Sequence, residues 1–347
     1  MKNIQALIGF IAFLFIVPCL LFAGNPASSL FVTYEMNCVW RVHTDGKIEK
    51  LTCMDGRYVY TGSISAGSNS PSVSPDRKYV AFIRKDDLWL YRVDTKDLMQ
   101  ITRAGKSETK TYASVDVSII TWSWDSKKIL YAIYPGEGID PEGHRPDKKI
   151  RPVKYGLYVY NVGNASSELV AKKIEGSISA WLPDGKMLVE NEKKRLSTVE
   201  PGSKPTPFPV TGELSQITVS PDGKWIAALT SSPDRLVKVN LTNYEVVPLT
   251  PAGEFAEYQW PKISPSGKHV LYERRSGMKD GIPILEVTVD GKKLYTSSGL
   301  SDYSWVDDRV IAFTQRTSDN GLEIMVIDSA TGKTVGRHKV KTGKPSR

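Results

Sequence analysis

The sequence predicts an all-β fold, a β-propeller built from four-stranded antiparallel blades. Two observations support this prediction: a short turn motif recurs along the chain, and β-rich apolar runs follow its copies in the same order. Periods near 40 residues with four strands each are typical of propellers, because one unit cannot bury both sheet faces alone. The third turn residues are Asp76, Asp125, Asp184, Asp222, Ser266 and Asp307, at spacings of 49, 59, 38, 44 and 41 residues.

The clearest repeat begins with the turn Ser-Pro-Asp-Arg at residues 74–77. Pro75 fixes φ at the second turn position, and Asp76 can hydrogen-bond its own backbone. The pattern of β-forming residues after it predicts three further strands of one blade. In order, these segments are an apolar run at 79–83, a charged loop at 84–87, a second run at 88–93, a turn at 94–97 and a short strand at 98–102.

Counting second strands of blades gives seven, so seven blades are favoured, with six as the alternative. The first blade lacks a predicted first strand. Residues 334–341 could supply either an outer strand or the strand that closes the ring and removes an exposed sheet edge. The predicted second strands are residues 31–35, 79–83, 129–133, 187–190, 225–229, 269–273 and 310–314.

The turn motif resembles that of the TolB-like propeller family, whose repeats carry a Ser-Pro-Asp-Gly turn followed by an apolar strand. The match is close in Val219-Ser-Pro-Asp-Gly-Lys-Trp-Ile-Ala, while Trp122-Ser-Trp-Asp-Ser and Trp305-Val-Asp-Asp are degenerate copies. Residues 81–91 also resemble the propeller of dipeptidyl-peptidase-type enzymes. The resemblance covers roughly residues 30–340 and implies the fold; it does not by itself imply an activity.

The N-terminus has the features of an export signal. A basic start at Lys2 precedes an uncharged apolar run at residues 6–24, which contains Pro18 and ends in small residues. The alternative is an uncleaved anchor in the inner membrane formed by residues 4–24, since such a run can just span a bilayer. We therefore expect a signal at 1–24, one propeller domain at 30–341, a disordered tail at 342–347, and a periplasmic or secreted protein.

Cys38 and Cys53 are predicted to form a disulfide. They lie symmetrically about Asp45-Gly46, the preferred dipeptide of a two-residue hairpin turn, so in that register they face each other on paired strands. Two buried thiols are the alternative.

Long insertions and basic residues fall on one face of the predicted propeller. In each blade, the loops joining strands two and three and the connections to the next blade lie at the same end, which we call the insertion face. The longest of these segments are 103–118 and 135–154. Cations recur in these loops and could form a rim that attracts an acidic partner, whereas solvated loop charges are the alternative. The candidate binding residues are Arg84, Lys85, Tyr112, Tyr134, Arg145, Lys148, Lys149, Arg151, Arg195, Arg274, Arg275 and Arg316.

The sequence offers no catalytic, cofactor or metal-binding motif. The four histidines are dispersed, and neither a Gly-x-Ser-x-Gly elbow nor a phosphate-binding glycine motif occurs. The tryptophans on repeat strands and turns are assigned to blade packing: Trp122, Trp124, Trp181, Trp225, Trp260 and Trp305.

The favoured function is an exported, non-catalytic, monomeric scaffold that binds a protein partner or an anionic envelope component through the insertion face. The net charge of +8 alone does not indicate a nucleic-acid partner. The alternative is an enzyme acting on an acidic sugar as a lyase, which the resemblance allows. It would require His269 and His144 to meet on the axis with Arg274 or Arg275.

Overall fold

The computed structural model describes most of the propeller. The predicted signal at 1–24 and the tail at 342–347 lie outside the described residues. The described residues are 28–33, 38–53, 72–84, 87–103, 115–135, 156–171, 177–190, 195–200, 203–210, 212–253, 257–279, 282–297, 300–317 and 321–340.

The described chain forms 27 strands in seven antiparallel sheets and contains no helix. Six sheets have four strands in sequence order, and the first has three. Blade 1 comprises β1 (Ser28–Thr33), β2 (Cys38–His43) and β3 (Ile48–Cys53); blade 2, β4 (Ser72–Val73), β5 (Tyr79–Arg84), β6 (Asp87–Arg92) and β7 (Leu98–Gln100); blade 3, β8 (Val115–Trp122), β9 (Lys128–Pro135), β10 (Gly156–Asn161) and β11 (Ser166–Ala171).

The remaining four blades follow the same order. Blade 4 comprises β12 (Ser177–Trp181), β13 (Met187–Glu190), β14 (Leu196–Val199) and β15 (Thr206–Pro207); blade 5, β16 (Leu214–Val219), β17 (Trp225–Ser231), β18 (Asp234–Asn240) and β19 (Val246–Pro248). Blade 6 comprises β20 (Tyr258–Ile263), β21 (Val270–Lys279), β22 (Ile282–Val289) and β23 (Lys292–Ser297); blade 7, β24 (Leu300–Trp305), β25 (Val310–Arg316), β26 (Leu322–Asp328) and β27 (Thr334–Val340). The all-β propeller and the preference for seven blades are confirmed.

Seven apolar clusters of described residues join neighbouring blades and close the ring. Leu30 of blade 1 packs with Phe82 of blade 2, and Trp40 of blade 1 packs with Ile324 of blade 7. The other clusters fill the boundaries between blades 2 and 3, 3 and 4, 4 and 5, 5 and 6, and 6 and 7. Since blade 1 shares a core with both blades 2 and 7, the first and last sheets are neighbours.

The last strand is an outer strand of its own blade. β27 pairs with β26 in antiparallel register, from Leu322 opposite Val340 to Ile327 opposite Thr334. The possibility that residues 334–341 complete blade 1 is therefore wrong. Blade 1 remains three-stranded within the described residues, as its missing first strand predicted.

The repeat turns of blades 2, 3 and 5 share one hydrogen-bond pattern. In blade 5, the Ser220 hydroxyl donates to Asp222 Oδ1 at 2.7 Å and accepts from the Trp225 amide at 3.1 Å. Asp222 Oδ1 also accepts from the Lys224 amide at 3.1 Å. Gly223 has a φ of 66°, which glycine adopts without strain. These turns and the turns between third and fourth strands define the turn face, at the opposite end of the blades from the insertion face.

The hairpin that carries the disulfide differs from its predicted geometry. The Gly46 amide donates to the His43 carbonyl, and the His43 amide donates to the Lys47 carbonyl, so three residues form the loop rather than two. This shifts the register by one, and a bulge at Leu51 shifts it back. Cys38 therefore still lies opposite Cys53, and the two form the predicted disulfide.

Candidate partner-binding face

Six of the twelve predicted binding residues lie outside the described residues. Two others, Arg84 at the end of β5 and Tyr134 in β9, lie in strands that run toward the insertion face, as predicted. The six candidates outside the described residues are Lys85, Tyr112, Arg145, Lys148, Lys149 and Arg151.

The four remaining candidates lie on or near strand ends that approach the insertion face. Arg195 immediately precedes β14, and Arg316 ends β25. Arg274 and Arg275 lie inside β21 because this strand extends to Lys279, well beyond its predicted end at residue 273. The structure thus distributes these cations over blades 4, 6 and 7 of the ring.

Arg274 is already neutralised within the protein. Its Nε donates to Glu257 Oε1 at 2.7 Å, and this hydrogen bond raises the pKa of Arg274. Glu257 is largely buried, so the pair is part of the structure of blade 6. Arg274 is therefore a weaker binding candidate than the sequence suggested.

Two aspartates near the predicted rim have structural roles. Asp87 is 4% exposed and accepts hydrogen bonds from Thr102 Oγ1 and Gln100 Nε2, both at 2.8 Å. Asp234 is 5% exposed, and its Oδ2 accepts from the Glu257 amide at 2.6 Å. These carboxylates fix the ends of strands and are too buried to neutralise arginines in solvent.

Arg235 and Arg275 differ from the other cations. Arg235 follows the loop between β17 and β18, and its buried Nε has no hydrogen-bond partner among the described residues. Arg275 forms no ion pair with any described side chain and interacts electrostatically with Glu273. Arg235 is not among the binding residues predicted from the sequence, because burial of its Nε depends on packing that no motif shows.

Cations on the turn face are paired instead. Lys127, Lys186 and Lys224 lie 3.9, 2.9 and 3.9 Å from the aspartate of their own turn. Such exposed pairs contribute little stability, but each carboxylate cancels the field of its lysine. The repeat motif therefore pairs these three lysines in blades 3, 4 and 5, whereas Arg235 Nε and Arg275 near the insertion face have no such carboxylate partner among the described residues.

A second group of ionisable residues lies between blades 6 and 7. Burial raises the pKa of Glu273 to about 7, with Arg275 opposing the shift. Lys262 Nζ lies 5.4 Å from the centroid of the Tyr303 ring. Desolvation by the surrounding protein lowers the pKa of Lys262, and the charge of Asp302 opposes this shift. The Tyr303 hydroxyl donates to the Trp260 carbonyl at 2.7 Å, and burial raises its pKa. A carboxyl group that titrates near neutrality has a property required of a general acid or base.

The described residues do not assemble the histidine site of the enzyme alternative. His269 Nδ1 lies 2.6 Å from Asp290 Oδ2 at the turn face. Arg274 is five positions along the extended chain, about 16 Å away at the usual rise per residue. His144 lies outside the described residues, and those that are described contain no group of three or more metal-ligating side chains.

The tryptophans pack between blades as predicted. Trp122, Trp181, Trp225 and Trp305 are at most 7% exposed, and Trp124 and Trp260 are partly buried. Their indoles also join blades: Trp122 Nε1 donates to the Ser72 carbonyl at 3.1 Å, and Trp305 Nε1 donates to the Lys262 carbonyl at 2.9 Å. Packing between blades therefore accounts for the four buried tryptophans.

These features define a seven-bladed β-propeller with a disulfide in its first blade. The family model of the dipeptidyl peptidase IV (DPP IV) N-terminal region matches residues 26–133, less than a third of the chain. No curated protein sequence matches the chain significantly.

Solved structures of several propeller proteins share the fold. TolB from Acinetobacter baumannii is 14% identical, with a TM-score of 0.48 over 90% of this chain and 78% of that one. A prolyl endopeptidase is 19% identical, with a TM-score of 0.52 over 89% of this chain and 49% of that one. An oligogalacturonate lyase in complex with manganese is 14% identical, with a TM-score of 0.50 over 80% and 79%. At these identities the likeness establishes the fold alone.

The disulfide is the feature that bears on location. Such bonds persist in oxidising compartments such as the bacterial periplasm and are rare in the cytosol. The described residues contain no helix that is long and apolar enough to span a bilayer.

Proposed function

We propose that this protein is an exported, non-catalytic propeller that binds a partner protein with an acidic surface through its insertion face. An acidic envelope glycan is the alternative ligand at the same face. Complementary charge steers association and disfavours wrong partners, and loops on a rigid scaffold are common binding elements.

The observation that carries the proposal is the difference in charge pairing between the two faces. Lysines of the turn face lie beside turn aspartates, whereas Arg235 Nε and Arg275 have no such partner among the described residues. Arg235 is partly exposed as a residue, and Arg275 is exposed, so a partner carboxylate can approach their guanidinium groups from solvent. Arginine suits this role because its planar fork binds a carboxylate through two hydrogen bonds.

Export is supported by the disulfide and by the N-terminal sequence. The bond joins Cys38 to Cys53, and the basic start followed by an apolar run is typical of a signal. We infer a periplasmic location after cleavage near residue 24.

A pull-down from cells with matched variants tests the proposal. One variant carries Arg235→Gln, Arg275→Gln and Arg316→Gln; the control carries Lys78→Gln, Lys127→Gln and Lys224→Gln on the turn face. Both lose three positive charges, so a change in overall charge affects them equally. We expect one specific partner to be recovered by the native protein and the control, and lost by the first variant when its fold is intact by circular dichroism. Equal recovery by all three would contradict the proposed surface.

The lyase alternative is favoured by one observation, the Glu273 carboxyl group with its pKa of about 7 between blades 6 and 7. In its ionised form, such a group could take the C–H proton beside a substrate carboxylate while the glycosidic C–O bond breaks; the products are an unsaturated sugar end and a leaving oxygen that takes up a proton, and nearby cations would bind the carboxylate. Incubation with oligogalacturonate, followed by ultraviolet detection of the unsaturated product, tests this activity. Turnover that disappears in Glu273→Gln would favour the enzyme, and absence of turnover would oppose it.

A further inference from the structure

A cavity of mixed polarity opens between blades 1 and 2 on the turn face. Its volume is about 280 Å³, and it is lined by Ser28, Ser29, Leu30, Arg41, His43, Arg77 and Val93. Two arginines, one histidine and two serines are all able to donate hydrogen bonds. The cavity lies at the opposite end of the blades from the insertion face, so it is separate from the proposed partner surface.

Arg77 occupies an unusual backbone position for a large residue. Its φ is 62°; the corresponding turn position holds glycine in blades 4, 5 and 6, and Ser126 with a φ of 61° in blade 3, so the conformation belongs to the repeat turn. A left-handed conformation costs a residue with a Cβ about 1–2 kcal/mol. Arg77 Nη1 donates to the Ser28 carbonyl at 3.0 Å. Burial lowers the pKa of Arg77, with Asp307 opposing the shift, so the cation is desolvated and only partly compensated.

The opposite wall presents more basic groups than acidic ones. Arg41 Nη1 is 4.0 Å and His43 Nε2 is 3.6 Å from Glu49 Oε2, while Lys47 Nζ is 2.5 Å from Glu49 Oε1. One carboxylate therefore faces two permanent cations and a histidine. His43 Nε2 is buried, and its contact with Glu49 Oε2 at 3.6 Å is longer than an ordinary hydrogen bond.

A buried polar group without a described partner lies near Arg41. The Tyr91 hydroxyl is buried and has no partner in the described part of the chain. Burial raises the pKa of Tyr91, with the charge of Arg41 opposing, which places the phenol near that arginine. Native proteins rarely leave buried donors without a hydrogen-bond partner. A buried polar group that lacks one commonly marks the position of a ligand, water or ion.

We propose that this cavity binds a doubly charged tetrahedral oxyanion, a phosphate or sulfate group, between Arg41 and Arg77. One guanidinium group can donate two parallel hydrogen bonds to two oxygens of such an anion. Serine hydroxyls and imidazole N–H groups can donate further hydrogen bonds to it. Anion binding would also compensate the desolvated charge of Arg77. The same chemistry could come from a free anion or from the ester group of a sugar.

Isothermal titration of the full mature protein tests the site. The probes are sodium phosphate, sodium sulfate and glucose 6-phosphate at low millimolar concentration, with sodium chloride at matched ionic strength. We expect saturable binding to the native protein, weakened about tenfold or more by Arg77→Gln and by Arg41→Gln, as expected for loss of a charged hydrogen bond. Arg309→Gln is the control, because Arg309 lies on the same face and is paired with Asp328 at 3.1 Å.

The outcomes separate cleanly. Tighter binding of glucose 6-phosphate than of free phosphate assigns the group to a sugar ester, and equal binding assigns it to a free anion. Arg77→Lys guards against misfolding, since it keeps the charge and should retain weak binding. No saturable binding by the native protein, or equal binding by all variants, would overturn the proposal. This anion-binding test is independent of the pull-down, because the insertion-face variant leaves Arg41 and Arg77 unchanged.

Discussion

The serine and aspartate of a repeat turn form one small hydrogen-bond unit. Ser220 is fully buried, and its hydroxyl joins Asp222 to the first amide of the second strand. Burial alone would raise the pKa of Asp222, but hydrogen bonds from Ser220 and the Lys224 amide hold it below its ordinary value. The sequence predicted that the aspartate bonds its own backbone; the role of the serine depends on burial, which a motif does not reveal.

Replacing this serine should destabilise the propeller. Ser220→Ala leaves the buried Trp225 amide without its acceptor, and we expect a loss of about 1–3 kcal/mol of unfolding free energy. Ser276→Ala, at an exposed position of β21, should change stability by less than about 0.5 kcal/mol. Chemical denaturation measures both, and similar losses would show that the turn unit contributes little.

Glu273 should make stability depend on pH. Its pKa is raised from 4.5 to about 7 by burial. Between these values the unfolded chain loses this proton before the folded protein does, so the contribution of Glu273 to stability falls as pH rises. Allowing for partial exposure, we expect Glu273→Gln to be about 1–2 kcal/mol more favourable relative to wild type at pH 8 than at pH 4. Parallel stability curves would contradict the raised pKa.

At the scale of elements, the hairpin of blade 1 shows which features a sequence can predict. Symmetry about Asp45-Gly46 correctly paired Cys38 with Cys53, although the loop has three residues and Leu51 forms a bulge. The extra loop residue and the bulge at Leu51 shift the register in opposite directions and cancel. No local sequence pattern indicates either shift. Repeats likewise predicted strand order and blade number, whereas the length of β21 and the pairing of Arg274 with Glu257 depend on strand pairing within blade 6 that the repeat motif does not specify.

Removing the disulfide should lower stability without changing the fold. Cys38 and Cys53 are 15 residues apart, and the chain-entropy estimate for such a loop is about 3 kcal/mol. We expect the double variant Cys38→Ser and Cys53→Ser to lower the unfolding free energy by about this amount. Reduction of the native protein should give the same loss; unequal losses would indicate that the substitutions act in another way.

At the scale of the molecule, blade 1 is held between blades 2 and 7 by shared cores. Its outer hairpin also contacts β27. A Cβ added to Gly46 would clash with the Val335 carbonyl oxygen, because the two atoms would be 2.2 Å apart. The ring thus closes through packing between blades, since β27 pairs only within blade 7.

Substituting Gly46 tests this closure. Gly46 and Gly291 have similar φ values of 90° and 84°, but a Cβ at Gly291 would meet nothing within 4 Å. Both alanine variants suffer backbone strain, of about 1–2 kcal/mol. Only Gly46→Ala also disrupts the contact with β27, so we expect it to be the more destabilised by at least about 1 kcal/mol. Equal thermal unfolding of the two variants would contradict the contact.

The central claim is that the insertion face binds the partner, and site-specific photo-crosslinking in cells tests it most directly. A photo-reactive amino acid replaces Arg275 or Arg316 near the insertion face, or Lys127 or Lys224 on the turn face, one position at a time. We predict a crosslinked product of defined mass from the first two positions and none from the last two. Products from the turn-face positions alone, or from none of the four, would contradict the claim.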